Sequence, residues 1–262
     1  MRKFIRFLVR NVPRPWLIRF SGMFSRLVLP FYRGSRYECP VCHTKLRRFL
    51  PYGNKGGANR LCPSCLSLER HRLLWLWLQK RSNLFTAPLK VLHVAPEQSF
   101  IHRFRALKNL DYTTADLFSP LADVKMDIQS MPVKDNTFDV VICNHVLEHV
   151  DDDITAMREI FRVLKPGGWA IMQVPIDWNR DFTYEDASIT TPAEREKHFG
   201  QYDHVRFHGT DYPNRLKSVG FEVDDEDFLA EFSEEQREYY RLPFKEMVWK
   251  SVKPDPQYKT SK

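Results

Sequence analysis

The chain has no low-complexity tract, no Asp or Glu among its first 37 residues and no glycine in the stretch KVLHVAPEQSF (residues 90–100). Its N-terminus also has no apolar run that approaches the roughly 18 residues needed to span a bilayer. Each absence excludes something. Without low-complexity sequence, 262 residues at 43% hydrophobic content read as a globular chain, long enough for one α/β domain and a small accessory module. The missing acidic residues leave nine Lys and Arg (Arg2, Lys3, Arg6, Arg10, Arg14, Arg19, Arg26, Arg33 and Arg36) uncompensated at the N-terminus. Taking these nine from the net charge of +7 leaves −2 for the rest, so the basicity does not mark the body as a polyanion binder. The missing apolar run excludes a membrane span in this segment. A secretory signal is not expected either, because arginines interrupt every candidate apolar core and no small-residue cleavage site follows.

What residues 1–36 do hold is a basic, aromatic-rich pattern. It predicts two short amphipathic helices broken near Pro13 and Pro15, with Phe4, Phe7, Trp16, Phe20 and Phe24 among the apolar anchors. Attraction of about 1 kcal/mol per arginine to an anionic leaflet would hold such a segment reversibly at a membrane surface. A helical hairpin packed on the body and an RNA-binding arm are the alternatives, in that order.

Five cysteines follow a pattern with one chemical meaning. Cys39-Pro-Val-Cys42 and Cys62-Pro-Ser-Cys65 are two C-x2-C knuckles separated by nineteen residues, which delivers four thiolates to one tetrahedral zinc ion. Residues 37–68 therefore read as a zinc ribbon too small to fold without its metal, and the site, closed by four protein ligands, as structural. Two disulfides are the competing reading, set aside because nothing else points to an oxidising compartment. His43 and His71 could each replace a thiolate, but four already complete the site. Cys143 falls in an apolar strand and reads as a buried, inert thiol.

Beyond the ribbon, SLERHRLLWLWLQKR (residues 67–81) predicts a linking helix with Ser67 as its cap and Leu73, Leu74, Trp77 and Leu78 on one face. Arg70, His71 and Arg72 read as a solvated helix start, with a polar ligand as the alternative. From Lys90 the pattern alternates. KVLHVA and WAIMQVP read as buried strands, LDYTTADL as a strand ending in Asp116 and FDVVICNHVLEHV as an almost continuous apolar strand. SFIHRFRAL and DDDITAMREIFRVLKPGG read as helices, the second ended by Pro166-Gly167-Gly168. VKMDIQSMP reads as a strand edge carrying Asp127. Such alternation implies an α/β fold with a parallel sheet, helices on both faces, and ligands outside the carboxyl ends of the strands.

The run MDIQSMPVKDNTFDVVICNHVLEHVDDDITAMREIFRVLKPGGWAIMQVP (residues 126–175) resembles the central half of a class I S-adenosylmethionine-dependent methyltransferase of the small-molecule type. The shared features are an Asp before the MP turn, FDVV, LEH after the fourth strand and RVLKPGG before the fifth. The resemblance covers residues 88 to about 225 and implies a Rossmann-like methyltransferase domain over 88–254. Before it stand the basic helical segment (1–36), the zinc ribbon (37–68) and the linking helix (69–87); a disordered tail (255–262) follows it.

The resemblance also implies roles. Asp116 would accept from the ribose hydroxyls, Asp127 with the Ile128 backbone would meet the adenine, and Asn144 and His145 would lie under the methionine part and near the transferred methyl. At the first turn the family carries an acidic residue and G-x-G, whereas this chain places His93, Ala95, Pro96, Glu97 and Ser99 there. S-adenosylmethionine has no pyrophosphate to cradle, so small Ala95 can serve for close approach and Glu97 can accept from the cofactor's ammonium group. A helix-start role for Glu97, favoured by the helix dipole, is the alternative. Glu148 and His149 are expected to pack and cap.

The segment after the fifth strand is expected to form the acceptor pocket. Methyl transfer needs the acceptor positioned and, for a hydroxyl, its proton removed. His204 is the expected base, with Asp203 or Asp211 orienting it and Arg206 or Arg180 holding an anionic acceptor. The expected function is transfer of a methyl group to a small-molecule, glycan or lipid-linked acceptor, in the cytoplasm or peripherally at the inner face of the membrane. An RNA methyltransferase and a non-catalytic scaffold with a degenerate pocket are the alternatives.

Overall fold

A computed structural model describes residues 22–53 and 57–258. The first of the two expected amphipathic helices, the break near Pro13 and Pro15, and the last residues of the expected tail lie outside these residues. The chain divides into two compact units. One ends at Asn83 and also takes Gln98–His102 and Leu229–Glu246; the other takes Leu84–Glu97, Arg103–Phe228 and the chain from Met247 onward.

In the first unit, residues 22–28 are helical. Strand β1 (Arg33–Glu38) pairs antiparallel with β2 (Lys45–Leu46), and β3 (Leu50–Tyr52) with β4 (Gly57–Leu61). Each pair stands beside one cysteine knuckle. The helix α1 (Glu69–Arg81) follows, with Leu73, Leu74, Trp77 and Leu78 buried, as their helical spacing predicts. Ser67 does not cap it. The cap position falls on Leu68, whose amide donates to His71 Nδ1 at 3.2 Å, while the Ser67 hydroxyl stands 3.2 Å from the sulfurs of both Cys39 and Cys65.

Arg72 departs furthest from its expected place. It is fully buried, and its guanidinium donates to the carbonyls of Arg60, Ser67, Tyr240 and Arg241 while stacking 4.4 Å from the Phe49 ring. A buried guanidinium has donors enough for several carbonyls at once, which suits it to tie backbone segments together. Here it ties the second knuckle and β4 to the end of the helix Glu234–Tyr240, which is joined to β1 by Tyr37 and Tyr239 hydroxyls on Glu238 and Glu38.

The second unit is built on a seven-stranded sheet. Strands β5 (Leu89–Val94), β6 (Leu110–Asp116), β7 (Val124–Lys125), β8 (Phe138–Cys143) and β9 (Leu164–Ile171) run parallel to one another in the order β9-β8-β5-β6-β7. The strand Lys250–Val252 inserts antiparallel between β9 and the strand Glu222–Asp224. The near-continuous apolar runs of β5 and β8 suit central strands covered on both faces. The order reverses between β5 and β8, since β6 and β7 lie on one side and β9 on the other. In open α/β sheets this reversal opens a crevice at the carboxyl edge where ligands sit.

Between β8 and β9 runs the helix Asp153–Val163. Asp152 caps it by accepting from the Thr155 amide at 2.9 Å, and Ala156, Met157, Ile160 and Val163 face the core. It stops before the expected Pro166-Gly167-Gly168. Leu164 is already extended and pairs with Phe138, and Lys165, preceding a proline, is biased the same way, so those residues lie inside β9. Gly168 is needed there for space: a Cβ would stand 2.9 Å from the carbonyl oxygens of Asp139 and Lys165.

Candidate cofactor and metal sites

The two knuckles fold alike. The residue after each second cysteine, His43 and Leu66, has positive φ (54° and 63°), and its amide returns to the carbonyl of the first cysteine, Cys39 or Cys62. This turns all four sulfurs of Cys39, Cys42, Cys62 and Cys65 to one point. Cys39 and Cys65 sulfurs lie 3.6 Å apart, and Cys42 and Cys62 sulfurs 3.8 Å. Four thiolates about 2.3 Å from one zinc ion in tetrahedral array stand close to 3.8 Å apart, whereas a disulfide needs about 2.05 Å. The spacing fits an ion, and all five cysteines are free. Cys143 is fully buried, and burial raises its pKa.

At the reversal of strand order, two turns meet. After β5 the chain turns at Ala95 with φ of +48°, a region glycine occupies without cost, and the Ala95 amide donates to the Ala115 carbonyl at 2.8 Å. The turn thus keeps a glycine-like backbone while carrying alanine, at a cost of about 1 kcal/mol. Glu97 is brought back over the strand end. One carboxylate oxygen meets His93 Nε2, and the other accepts from Asn144 Nδ2 at 2.9 Å. His93 is fully buried and its Nδ1 lies 2.8 Å from the Tyr112 hydroxyl. Asn144 follows β8, and its Oδ1 accepts from the Gln173 amide at 3.1 Å, so one side chain joins the turns after β5 and β8 to the end of β9. His93, Glu97 and Asn144 are therefore in direct contact across the switch point.

Asp116, at the end of β6, accepts the amides of Phe118 and Ser119 on one oxygen and lines an open hollow with Leu117, Phe118, Ala122 and Lys125. Asp127 accepts the Gln129 amide at 2.9 Å, and the Ile128 side chain is packed in the core, which leaves its backbone as the part that could meet a ligand. These carboxylates make local turns, the alternative that each residue alone would suggest, and both lie at carboxyl ends of successive strands.

The turn after β8 continues through His145, whose φ is +54°. Its Nδ1 lies 3.1 Å from one oxygen of Glu148. Glu148 is 1% exposed, and its second oxygen has no hydrogen-bond partner among the described residues, nor has His145 Nε2. Burial pushes the Glu148 pKa up, but the hydrogen bond and charge of His145 together with His149 outweigh it and hold the carboxyl down at about 2. Glu148, expected only to pack and cap, is buried as such a residue would be, and its open second oxygen is the feature that the sequence does not show.

The segment after β9 supplies the rest. His204 is buried, with Nδ1 3.2 Å from the Phe199 carbonyl and Nε2 3.0 Å from the Gln201 amide nitrogen. Burial lowers its pKa against the opposing pull of Glu148, which keeps the imidazole neutral near pH 7. Its ring meets that of His149 edge-on at 4.7 Å.

The expected helpers of His204 are placed elsewhere. Asp203 stands at His149, with its carbonyl 3.2 Å and its carboxylate 3.4 Å from Nδ1. Asp211 accepts from the amide and hydroxyl of Thr183, both at 2.8 Å, and so staples a loop. Arg206 is 2% exposed and gives its donors to the carbonyls of Leu147, Val150 and Asp151 and to Glu185. It fixes the turn after β8 and has no face for an acceptor. Arg180 pairs with Asp177 at 3.0 Å over the Tyr184 ring.

Residues 80–172 match the family described as a methyltransferase domain. A protein of Mycolicibacterium smegmatis named a probable S-adenosylmethionine-dependent methyltransferase is 28% identical over 127 residues, 46% of this chain and 45% of that one. The ubiquinone/menaquinone biosynthesis C-methyltransferase of Pasteurella multocida is 49% identical over 45 residues, 17% of either chain. The matched stretches thus span less than half the length of these relatives. Among solved structures, an S-adenosylmethionine-dependent methyltransferase of Mesorhizobium loti superposes with a TM-score of 0.45 at 13% identity, over 68% of this chain and 97% of that one.

Proposed function

The chain carries an S-adenosylmethionine-dependent methyltransferase domain over residues 80–172, and from that premise we propose that the whole protein methylates a small-molecule, glycan or lipid-linked acceptor near a membrane surface. The observation that carries the proposal is the hydrogen bond from Asn144 to Glu97, which bridges the turns after β5 and β8 where the strand order reverses and fixes a partly buried carboxylate there. In this reading Glu97 accepts from the ammonium group of the cofactor, Asp116 from the ribose hydroxyls and Asp127 from the adenine, beside the Ile128 backbone. Ala95, His93, Asn144 and His145 shape the wall near the methionine part. The bound cofactor supplies a methyl group on a sulfonium that is its own leaving group. What remains for the protein is positioning and, for a hydroxyl acceptor, removal of a proton, for which neutral His204 is the base.

The four cysteines hold a structural zinc ion in the same proposal. Membrane contact rests on the N-terminal segment, where Met23, Phe24, Leu27 and Phe31 are exposed beside Arg26. Among the described residues no helix is long and apolar enough to cross a membrane.

Calorimetric titration with S-adenosylmethionine tests the cofactor half, and no heat at saturating cofactor would leave a scaffold. Incubation with a methyl-labelled donor and separate lipid, glycan and RNA fractions tests the acceptor, and label in RNA alone would replace it. Sedimentation with anionic liposomes should retain the full chain and release one beginning at Tyr37; equal behaviour ends the membrane reading.

A further inference from the structure

We infer that Glu148, His149 and His204 form a second metal site, separate from the cysteine cluster and suited to a divalent first-row transition cation. One ligand atom from each of the three lies within 4.8 Å of the other two. Ligands bonded at about 2.1 Å to one ion stand about 3 to 3.5 Å apart, so closure asks for roughly an ångström of side-chain movement. A set of two imidazoles and one carboxylate suits zinc, iron, cobalt or manganese and leaves coordination positions for an outside oxygen.

Three independent features prepare these groups. The second oxygen of Glu148 is buried with no hydrogen-bond partner among the described residues, although the first is held by His145. An unpaired buried carboxylate oxygen is costly, and a cation is the partner that would satisfy it. Both imidazoles also have Nδ1 against a main-chain carbonyl, His149 against Asp203 and His204 against Phe199, each at 3.2 Å. A carbonyl can only accept, so each ring carries its proton on Nδ1 and keeps the Nε2 lone pair for a ligand, the arrangement that orients metal-bound histidines. The Asp203 carboxylate 3.4 Å from His149 strengthens that orientation. The Gln201 amide, 3.0 Å from His204 Nε2, is the group that an ion would displace.

Glu148 and His149 lie in the turn that follows β8, at the carboxyl edge of the sheet, and His204 comes from the segment after β9. Use of the site in catalysis rests on the methyltransferase reading; its affinity for metal does not. With an ion bound, His204 is a ligand and no longer the base proposed above. An ion held there would supply Lewis acidity, which would ease the loss of a proton to water from a hydroxyl acceptor. A metal-free enzyme acting through imidazole and a metal-loaded one are therefore competing forms.

The test is a titration of the full metal-free chain with Co2+, read by visible absorption. The cysteine site gives thiolate-to-cobalt charge transfer. The second site gives ligand-field bands without it, as a further equivalent. His149→Ala, at a side chain 31% exposed, and His204→Ala should each weaken the second equivalent about tenfold or more and leave the charge-transfer band unchanged. That band also reports that the first unit is folded, and retained heat of cofactor binding reports the same for the second. Failure to find the second equivalent, or its persistence in both variants, overturns the inference. Calorimetry with S-adenosylmethionine on the metal-free chain reads the methyltransferase proposal separately.

Discussion

The turns after β5 and after β8 are built to one plan and finished differently. Each has a non-glycine residue in the left-handed region, Ala95 in one and His145 in the other, followed shortly by a glutamate, Glu97 or Glu148, that meets a histidine of its own neighbourhood. Glu97 has both oxygens engaged, by His93 and Asn144. Glu148 is buried more deeply and has one oxygen with no hydrogen bond among the described residues. A carboxylate satisfied on both oxygens is preformed, and it can add a ligand without rearrangement of its neighbours. A buried one with an open oxygen is incomplete, and its cost is recovered only when a cation or a donor arrives.

The largest effect that would break this comparison is at Glu148. Glu148→Ala removes a fully buried side chain and the hydrogen-bond partner of His145, and should cost about 2–4 kcal/mol in urea unfolding near neutral pH. A loss as small as that of a surface substitution would mean that the pair with His145 does not exist. The same carboxyl sets an acid limit. Its folded pKa, near 2, lies below the ordinary value of 4.5, so its stabilisation is complete above about pH 4.5 and lost as pH falls toward 2. His208, fully buried with Nδ1 4.0 Å from a carboxylate oxygen of Asp153, acts in a separate window. Burial lowers its pKa from 6.5 to about 4, so the stability that comes with the neutral ring is present above about pH 6.5 and lost as pH falls toward 4. Urea midpoints between pH 7 and 3 should therefore fall in two stages, with the lower stage absent from Glu148→Gln and the upper from His208→Phe.

A smaller effect sharpens the role of Glu97. Glu97→Gln keeps an acceptor for Asn144, and a tautomer change at His93 accommodates the new amide, so the melting temperature should hold. Cofactor affinity should still fall about 10- to 100-fold, because a hydrogen bond to a charged partner contributes about 1.5–3 kcal/mol. Unchanged affinity by calorimetry would show that this turn does not hold the cofactor's ammonium group. The smallest effect is at Ala95. Ala95→Gly should raise stability by at most about 1 kcal/mol, relief of left-handed strain being offset by unfolded-state freedom. Ala95→Val, with a β-branched side chain at the same φ, should be clearly less stable than either.

What was legible in the sequence was what is local. The cysteine knuckles are set by spacing within four residues, and the parallel strands by near-continuous apolar runs, so Val91 to Val94 and Val140 to Cys143 could be placed without knowing their neighbours. Asn144 at a strand end could be singled out for the same reason. The partners of His204 could not, because Glu148 and His149 lie more than fifty residues earlier and meet it only through the fold. Charge was the most misleading signal. Arg72 and Arg206 read as surface or ligand-facing groups, yet each is buried because several carbonyls converge on its guanidinium, and carbonyls leave no trace in a sequence. The helix end before β9 was misplaced because Lys165 is extended ahead of Pro166, a rule that acts one residue before the proline.

Arg72 carries a consequence for how the protein is made. Its guanidinium needs the carbonyls of Tyr240 and Arg241, 168 and 169 residues further along the chain, to be fully satisfied. While the ribosome is still producing the sheet, the two cysteine knuckles are already complete, but a cation left without those acceptors stays unfavourable to bury. Completion of the first unit is thereby deferred until the second has been almost entirely synthesised, and a chain interrupted before Tyr240 would expose an unfinished N-terminal unit to proteases.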